Sequence, residues 1–242
     1  AFSLILVDEA HLCPAELFST ALNNLNAKIK IGITATPKRK DGKHVFLADY
    51  FTKFMVTARD PRKLQDPVVL VKRTDFRFPV IDPKRDWSRQ LNKLCSNQDY
   101  LKAIAKMANQ MIVTNRCPLI LGERVQMLKD LQEMIPDSVC LIGETDESTR
   151  KDVLQNVGGK YKAVLSTKLF DEGISCHRLD TLFLTCPNNN PIKLEQRIGR
   201  IIREHPDKEV PMIVDFWLSG PIVARQQSKR LAWYNQRGYY LL

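Results

Sequence analysis

Short apolar runs alternate with helix-patterned stretches from one end of this chain to the other. That alternation commits it to an α/β fold built on a parallel sheet. The apolar runs predict strands at Ser3–Val7, Ile29–Ile33, Val68–Lys72, Leu119–Leu121, Val139–Ile142, Ala163–Ser166, Thr181–Thr185 and Met212–Phe216. Apolar spacings of three and four predict helices over Tyr100–Thr114, Arg124–Met134, Glu147–Val157, Lys193–Glu204 and Val223–Gln236. Within the first of these, Ala103, Ile104, Met107, Ala108 and Met111 form a stripe that reads as packing.

The strands fall into two groups. Residues 1–58 offer two strands with a helix between them, too little to close a sheet. Residues 59–67, which carry Pro61, Pro67 and mixed charge, read as a linker. Residues 68–242 sustain the alternation long enough for a complete doubly wound domain ending in a basic and aromatic helix.

Composition narrows the partner more than the fold. Lys and Arg number 37 against 27 Asp and Glu, a formal net charge of +10. Such an excess favours a polyanion, nucleic acid first, with a merely basic soluble enzyme as the alternative. No stretch is long and apolar enough to span a bilayer, so no membrane partner is expected. The six cysteines show no C-x-x-C pair and read as reduced, packed thiols rather than a disulfide frame or zinc site.

The residues that carry chemistry sit where strands end. Leu4-Ile5-Leu6-Val7 runs into Asp8-Glu9-Ala10-His11, placing two carboxylates at a carboxyl edge, where open α/β sheets bind ligands. One can hold Mg²⁺ while its neighbour faces an attacking water; an acidic turn is the plainer reading. Gly32-Ile33-Thr34-Ala35-Thr36-Pro37 ends the next strand, with hydroxyls at Thr34 and Thr36 able to bond to the acidic motif. Lys38-Arg39-Lys40-Asp41-Gly42-Lys43 is either a phosphate-contacting loop, through Arg39 and Lys40, or a solvated one. Gly122-Glu123-Arg124, Gly143-Glu144-Thr145 and the Ser166–Ser175 segment, with Thr167 and Gly173, each follow a strand. Singly they are ordinary loops; together at one edge they make a ligand-binding rim. Gln196, Arg200 and Arg203, spaced four and three apart, are expected to share one helical face from which arginines could stabilise a γ-phosphate, with Arg197 pointing elsewhere.

In this order the segments resemble the motifs of superfamily 2 helicases. Asp8-Glu9-Ala10-His11 is similar to motif II, Thr34-Ala35-Thr36 to motif III, Thr167–Gly173 to motif V and Gln196–Arg203 to motif VI. Thr-Ala-Thr-Pro followed by a basic run, Ile201-Ile202 in place of Ala-Gly, and Gly143-Glu144-Thr145-Asp146 with Arg150 resemble the phage UvsW-type DNA helicases and their RecG- and XPB-like relatives. The resemblance implies tandem RecA-like lobes, the first incomplete and the second complete, and ATP with Mg²⁺ as cofactors. It implies that Asp8 holds Mg²⁺ through water, Glu9 orients the attacking water, and His11, Thr34 and Thr36 couple the nucleotide to the rest of the motor. Gln196, Arg200 and Arg203 would sense the γ-phosphate across a closing cleft, with Gly173 near the ribose. Arg124, Thr145 and Thr167 would grip the nucleic-acid backbone.

Two departures stand out. Ser175 occupies a position where many relatives carry Asp, and no G-x-x-x-x-G-K-[ST] loop exists, Gly158-Gly159-Lys160 being followed by Tyr161. The family's phosphate loop would precede motif II, so the expectation is a carboxy-terminal portion of a motor, inactive alone and completed by a missing N-terminal part. The implied activity is ATP-driven translocation on forked or branched DNA in replication, recombination or repair, in the cytoplasm of a phage-infected or bacterial cell. An RNA helicase, a restriction-type translocase subunit and a non-catalytic nucleic-acid-binding module are the rivals. The stretch Pro221–Leu242, with Trp233, Tyr234, Tyr239 and Tyr240 among basic residues, either meets nucleic acid or docks on its own domain.

Overall fold

A computed structural model of the chain describes residues 2–14, 16–34, 42–51, 54–56, 65–80, 82–167, 176–188 and 190–242. The chain divides into two compact units, Ala1–Arg62 and Lys63–Leu242.

In the first unit β1 (Phe2–Val7) passes through a 3₁₀ turn at Ala10–Leu12 into α1 (Glu16–Asn24) and then β2 (Ala27–Gly32); α2 (Leu47–Tyr50) follows. The strands pair in parallel, Leu4 beside Ile29 and Leu6 beside Ile31. Ala10, Cys13 and Leu22 form a small core, with Val7, Leu47, Tyr50 and Phe51 packed against it. Leu4, Leu6, Ile29 and Ile31 remain about half exposed, which sets this pair apart from parallel sheets covered on both faces.

The second unit runs β3 (Val68–Arg77), α3 (Pro83–Cys95), α4 (Gln98–Val113), β4 (Pro118–Leu121), α5 (Val125–Met134), β5 (Ser138–Leu141), α6 (Glu147–Asn156), β6 (Ala163–Ser166), β7 (Thr181–Leu184), α7 (Pro191–Ile201), β8 (Met212–Ser219) and α8 (Pro221–Gln236). Its six strands lie in the order β3-β8-β7-β4-β6-β5, and every adjacent pair is parallel. β4, β6 and β7 are buried along their whole length, as strands covered on both faces must be. One face packs on α3, α4 and α5 through Leu94, Leu101, Ile104, Met127 and Leu128. The other packs on α6 and α7 through Val153, Leu194, Ile198 and Ile201.

The sequence-derived elements fall on these with several differences: α2 has no counterpart among them and β8 runs to Ser219 rather than Phe216, and three others bear on the site. Pro83–Cys95 is a helix with no counterpart among them: the Asp82 carboxylate caps the Lys84 amide, Pro83 occupies the first turn, and only Gln90, Leu91, Leu94 and Cys95 are buried. β3 extends to Arg77 rather than Lys72. α7 ends at Ile201 rather than Glu204, because Pro206 keeps His205 out of helical conformation and Lys208 Nζ takes the Arg203 carbonyl at 2.7 Å. Arg203 is therefore past the helix end, and its expected place on a shared helical face is corrected. The six cysteines are free thiols.

The C-terminal segment docks on its own unit. Trp233 packs edge-on against Tyr234 and Tyr239 at 5.8 and 5.7 Å, and the Arg237 guanidinium lies 5.1 Å from its ring centre. Beyond α8 the chain adds itself to the outer edge of β3, the Val69 amide donating to the Tyr240 carbonyl and the Leu242 amide to the Val69 carbonyl, both at 2.8 Å. Gly220 turns the chain into α8 with φ 151°, and a Cβ there would run into the Phe78 carbonyl.

Inside the sheet, Asp215 of β8 is fully enclosed and accepts two hydrogen bonds from Arg230 of α8, at 2.9 and 2.8 Å. The Tyr234 hydroxyl donates to the same carboxylate at 3.2 Å. Removing one partner of such a pair leaves a buried charge unpaired. Asp215→Ala is thus expected to cost the second unit about 3–5 kcal/mol, read from urea unfolding of the 242-residue chain. A loss under about 1 kcal/mol would show the pair to be dispensable.

Candidate functional site

In the first unit the candidate residues gather at the carboxyl ends of β1 and β2. The Ile33 amide donates to the Val7 carbonyl at 2.8 Å and the Ala10 amide to the Ile33 carbonyl at 2.9 Å, so the acidic turn is stitched onto the end of β2. Gly32 makes that approach possible: a Cβ there would stand 2.8 Å from both the Ala10 methyl and the Phe51 ring. Asp8 is exposed, and its Oδ1 accepts the Glu9 amide at 2.8 Å. Glu9 itself is left-handed, at φ 50° and ψ 43°, a conformation that costs a non-glycine residue about 1–2 kcal/mol. Strain of this kind concentrates at functional sites.

His11 links the two motifs. Its Nδ1 lies 3.0 Å from the Thr34 hydroxyl and 3.1 Å from Glu9 Oε2. That Glu9 oxygen is enclosed and no donor is aligned on it as a hydrogen bond. Asp8, Glu9, His11 and Thr34 are thus brought together; Thr36, Arg39 and Lys40 lie outside the described residues. Among the described residues no group of three or more His, Cys, Asp or Glu side chains forms a direct metal cage. A metal held through water by Asp8 needs none.

In the second unit the rim residues follow β4, β5 and β6. Arg124, after β4, is fixed by α3: its Nε donates to Asn92 Oδ1 at 2.7 Å and its Nη2 to the Ser88 hydroxyl at 3.3 Å. Ser88 and Asn92 escaped the sequence reading because their helix did, although Asp82-Pro83 is a helix-start signal. Thr145, after β5, accepts the Ile142 amide on its hydroxyl oxygen at 2.9 Å, which leaves the hydroxyl hydrogen to point outward. Asp146 next to it caps α6 through the Thr149 amide. The Ser148 hydroxyl, then the Thr149 amide and hydroxyl, hold the Asp146 carboxyl well below the usual carboxylate range. Thr167, after β6, is half-buried, and Gly173 lies outside the described residues.

α7 buries Leu194, Arg197, Ile198 and Ile201 and leaves Gln196 and Arg200 half-buried on the other side. Arg197, expected to point away from Arg200, points into the domain. Arg203 follows in the turn after the helix, where Lys208 Nζ also reaches the His177 carbonyl at 3.3 Å; burial pushes that ammonium down to about 8.

Comparison with known proteins agrees with this layout. The family described as "Helicase conserved C-terminal domain" matches residues 98–205, and "Type III restriction enzyme, res subunit" matches residues 1–39. "Probable helicase D10" of Escherichia phage T5 is 28% identical over 98% of this chain and 54% of its own length. The crystal structure of phage T4 UvsW superposes with a TM-score of 0.57 at 18% identity, over all of this chain and 53% of that one. S. cerevisiae Dbp5 bound to RNA superposes with a TM-score of 0.65 at 11% identity, over 99% of this chain and 59% of that one. These likenesses establish the RecA-like α/β fold. The chain spans about half the length of the curated relatives it matches.

The left-handed Glu9 gives a direct test of strain at the acidic turn. Glu9→Gly relieves the conformational cost, less the entropy a glycine adds to the unfolded chain. Native-state hydrogen exchange at Ala10 and Ile33 is expected to slow by about 0.5–1 kcal/mol in protection. Faster exchange would mean that the Glu9 side chain holds the turn in place.

Proposed function

We propose that this chain belongs to the superfamily 2 helicases and carries the water-activating and charge-sensing parts of an ATP-driven motor that moves along DNA. The observation that carries this reading is His11 Nδ1, within about 3 Å of both Glu9 Oε2 and the Thr34 hydroxyl. Glu9, in its strained left-handed turn, would accept a hydrogen from the attacking water and so fix its direction. Asp8 would hold Mg²⁺, which would supply positive charge against the phosphoryl oxygens. His11 passes the state of the Glu9 carboxylate to Thr34 and, beyond it, Thr36.

ATP supplies the phosphoryl group whose transfer to water drives the cycle. Gln196, Arg200 and Arg203 sense and stabilise charge on the γ-phosphate, and Gly173 lets the backbone approach the ribose. The residues present fit the metal and water end of the nucleotide. No residue run here fits the cradle of its other phosphates, which we assign to the half of the relatives' length that this chain does not span. Alone, the chain is accordingly inactive as an ATPase.

Arg124, Thr145 and Thr167, with Arg39 and Lys40, grip the sugar–phosphate backbone. DNA is favoured over RNA by the Thr34-Ala35-Thr36-Pro37 motif and the bulky Ile201-Ile202 pair; forked or branched DNA is the substrate, handled during replication, recombination or repair. The setting is the cytoplasm of a bacterial or phage-infected cell. Among the described residues no helix is long and apolar enough to cross a membrane.

Glu9→Gln in the whole protein is expected to abolish ATP turnover while ATP and DNA still bind; normal turnover would remove Glu9 from the mechanism. Forked DNA should stimulate that ATPase more than blunt duplex or structured RNA, and a stronger response to RNA would reassign the substrate. Arg124→Ala should weaken binding evenly across sequences and flatten the plot of log affinity against log salt by about one unit. An unchanged slope would take Arg124 off the backbone.

A further inference from the structure

α3 carries its charge in a pattern that helix stability alone does not favour. Gln90, Leu91, Leu94 and Cys95 turn one side of it inward. Arg85, Arg89 and Lys93, all exposed, recur every fourth residue on the opposite side, so each stands one turn from the next. Like charges at that spacing repel and weaken a helix, where an acid in alternation would support it. The two carboxylates present, Asp82 and Asp86, are drawn to the first turn. Asp82 caps the Lys84 amide at 2.9 Å, while Asp86 accepts the Asp82 amide at 3.1 Å and the Arg89 guanidinium at 2.9 Å. Arg85 stands 3.8 Å from Asp82 with its side chain 88% exposed. No acid lies three or four residues from Lys93 in either direction.

Arg124 joins this row from the loop after β4. Ser88 and Asn92, exposed beside the row, take its Nη2 and Nε at 3.3 and 2.7 Å, and the Glu123 carbonyl takes its Nη1 at 2.9 Å. All three acceptors are neutral, so they aim the guanidinium without cancelling its charge. Arg85 and Lys93 are eight residues apart, about 12 Å along the helix axis. Over that length one strand, at the B-form rise of about 3.4 Å, presents about three phosphates. The row, with Arg124 at its side, thus has the sign and the length of a short stretch of nucleic-acid backbone.

We propose that the solvated side of α3, through Arg85, Arg89 and Lys93, extends the track for the sugar–phosphate backbone that Arg124 begins. The proposal rests on the nucleic-acid reading given under Proposed function and deepens it: a whole helix face joins the loops that follow the strands. Contacts of this kind reach phosphates and no base edges, so they set affinity and register without reading sequence. The surface ion pair between Arg89 and Asp86 is no obstacle, because exposed pairs of this kind contribute little and yield readily to a phosphate.

The test measures binding of a fluorescent oligo(dT) by the 242-residue chain as salt is varied. Arg85→Gln combined with Lys93→Gln is expected to weaken binding about 10-fold at about 0.1 M salt. It should also flatten the plot of log affinity against log salt by about 1.4, the share of two single-strand phosphate contacts. Its melting temperature should hold or rise, because a like charge is removed from either side of Arg89. Arg85→Lys combined with Lys93→Arg keeps both charges and should bind as the unaltered chain does. Arg225→Gln combined with Lys229→Gln removes the same charge from exposed positions on α8 and should leave the slope as it was. An equal effect of the α8 pair would mean a diffuse field in place of a track and overturns the proposal. An unaltered affinity and slope in the α3 pair overturn it too, and leave the row to an acidic protein surface. If Arg124→Ala still flattens the slope in that case, the backbone reading survives without α3. Absence of oligonucleotide binding by the unaltered chain sinks both.

Discussion

The second unit is organised around one buried charge pair. Asp215, in the middle of β8 and sealed from water, meets the guanidinium of Arg230 through two hydrogen bonds. The third arm of that guanidinium reaches the Asn188 carbonyl. One interaction therefore ties together a strand, the helix that follows it and the loop that launches α7, the helix carrying Gln196 and Arg200. Burying two charges gains little net stability over a well-packed apolar pair. Its value is geometric: only one placement of α8 and one path of the post-β7 loop satisfy both ions. A second carboxylate works at the opposite end of β7. Asp180, also fully enclosed, accepts from Arg178, the Cys117 amide and the Thr181 hydroxyl. β7 thus lies between two buried polar groups, Asp180 before it and the Arg230–Asn188 contact after it, while apolar packing fills the space between.

The sequence made the buried framework visible because burial leaves a strong mark. Leu119–Leu121, Ala163–Ser166 and Thr181–Thr185 read as strands, and all but Thr185 lie in strands buried along their whole length. The α3 helix was hidden for the opposite reason. Most of its surface is solvated, only its last turns carry apolar residues inward, and its start is announced by Asp82-Pro83 alone. With that helix went Ser88 and Asn92, which determine where Arg124 points. The end of α7 was misjudged because the apolar spacing of Ile198, Ile201 and Ile202 continues past the place where the backbone stops being helical. What stops it, Pro206 together with the Lys208 ammonium on the Arg203 carbonyl, acts from farther along the chain. Pro221–Leu242 stayed ambiguous for want of a partner: aromatic and basic residues suit a bound base as well as each other. In the fold Trp233 is occupied by Tyr234, Tyr239 and Arg237.

Within the first unit, stability and chemistry pull against each other at a single residue. Glu9 could be accommodated more comfortably by a glycine. That penalty falls on the residue that the proposed reading makes the water-orienting carboxylate, and the surroundings that enforce it are specific. The bonds from Ala10 to Ile33 and from Ile33 to Val7 fix the turn, and Gly32 lets it lie directly on β2. A turn lifted away from β2 would break those bonds and part His11 from Thr34.

A parallel sheet brings every strand's carboxyl end within a unit to the same edge, so a short loop after each strand reaches a common surface without crossing the core. Arg124, Thr145 and Thr167 arrive there from three different strands, each within a few residues of a fully anchored backbone. Their side chains are then steered locally, by Asn92 and Ser88 for Arg124 and by the Ile142 amide for Thr145. This separates two kinds of substitution. Changes to the strands and to Asp215 or Asp180 strike the framework and register as lost stability. Changes to the loop residues leave the framework standing, since the hydrogen bonds that aim them sit at the solvated rim.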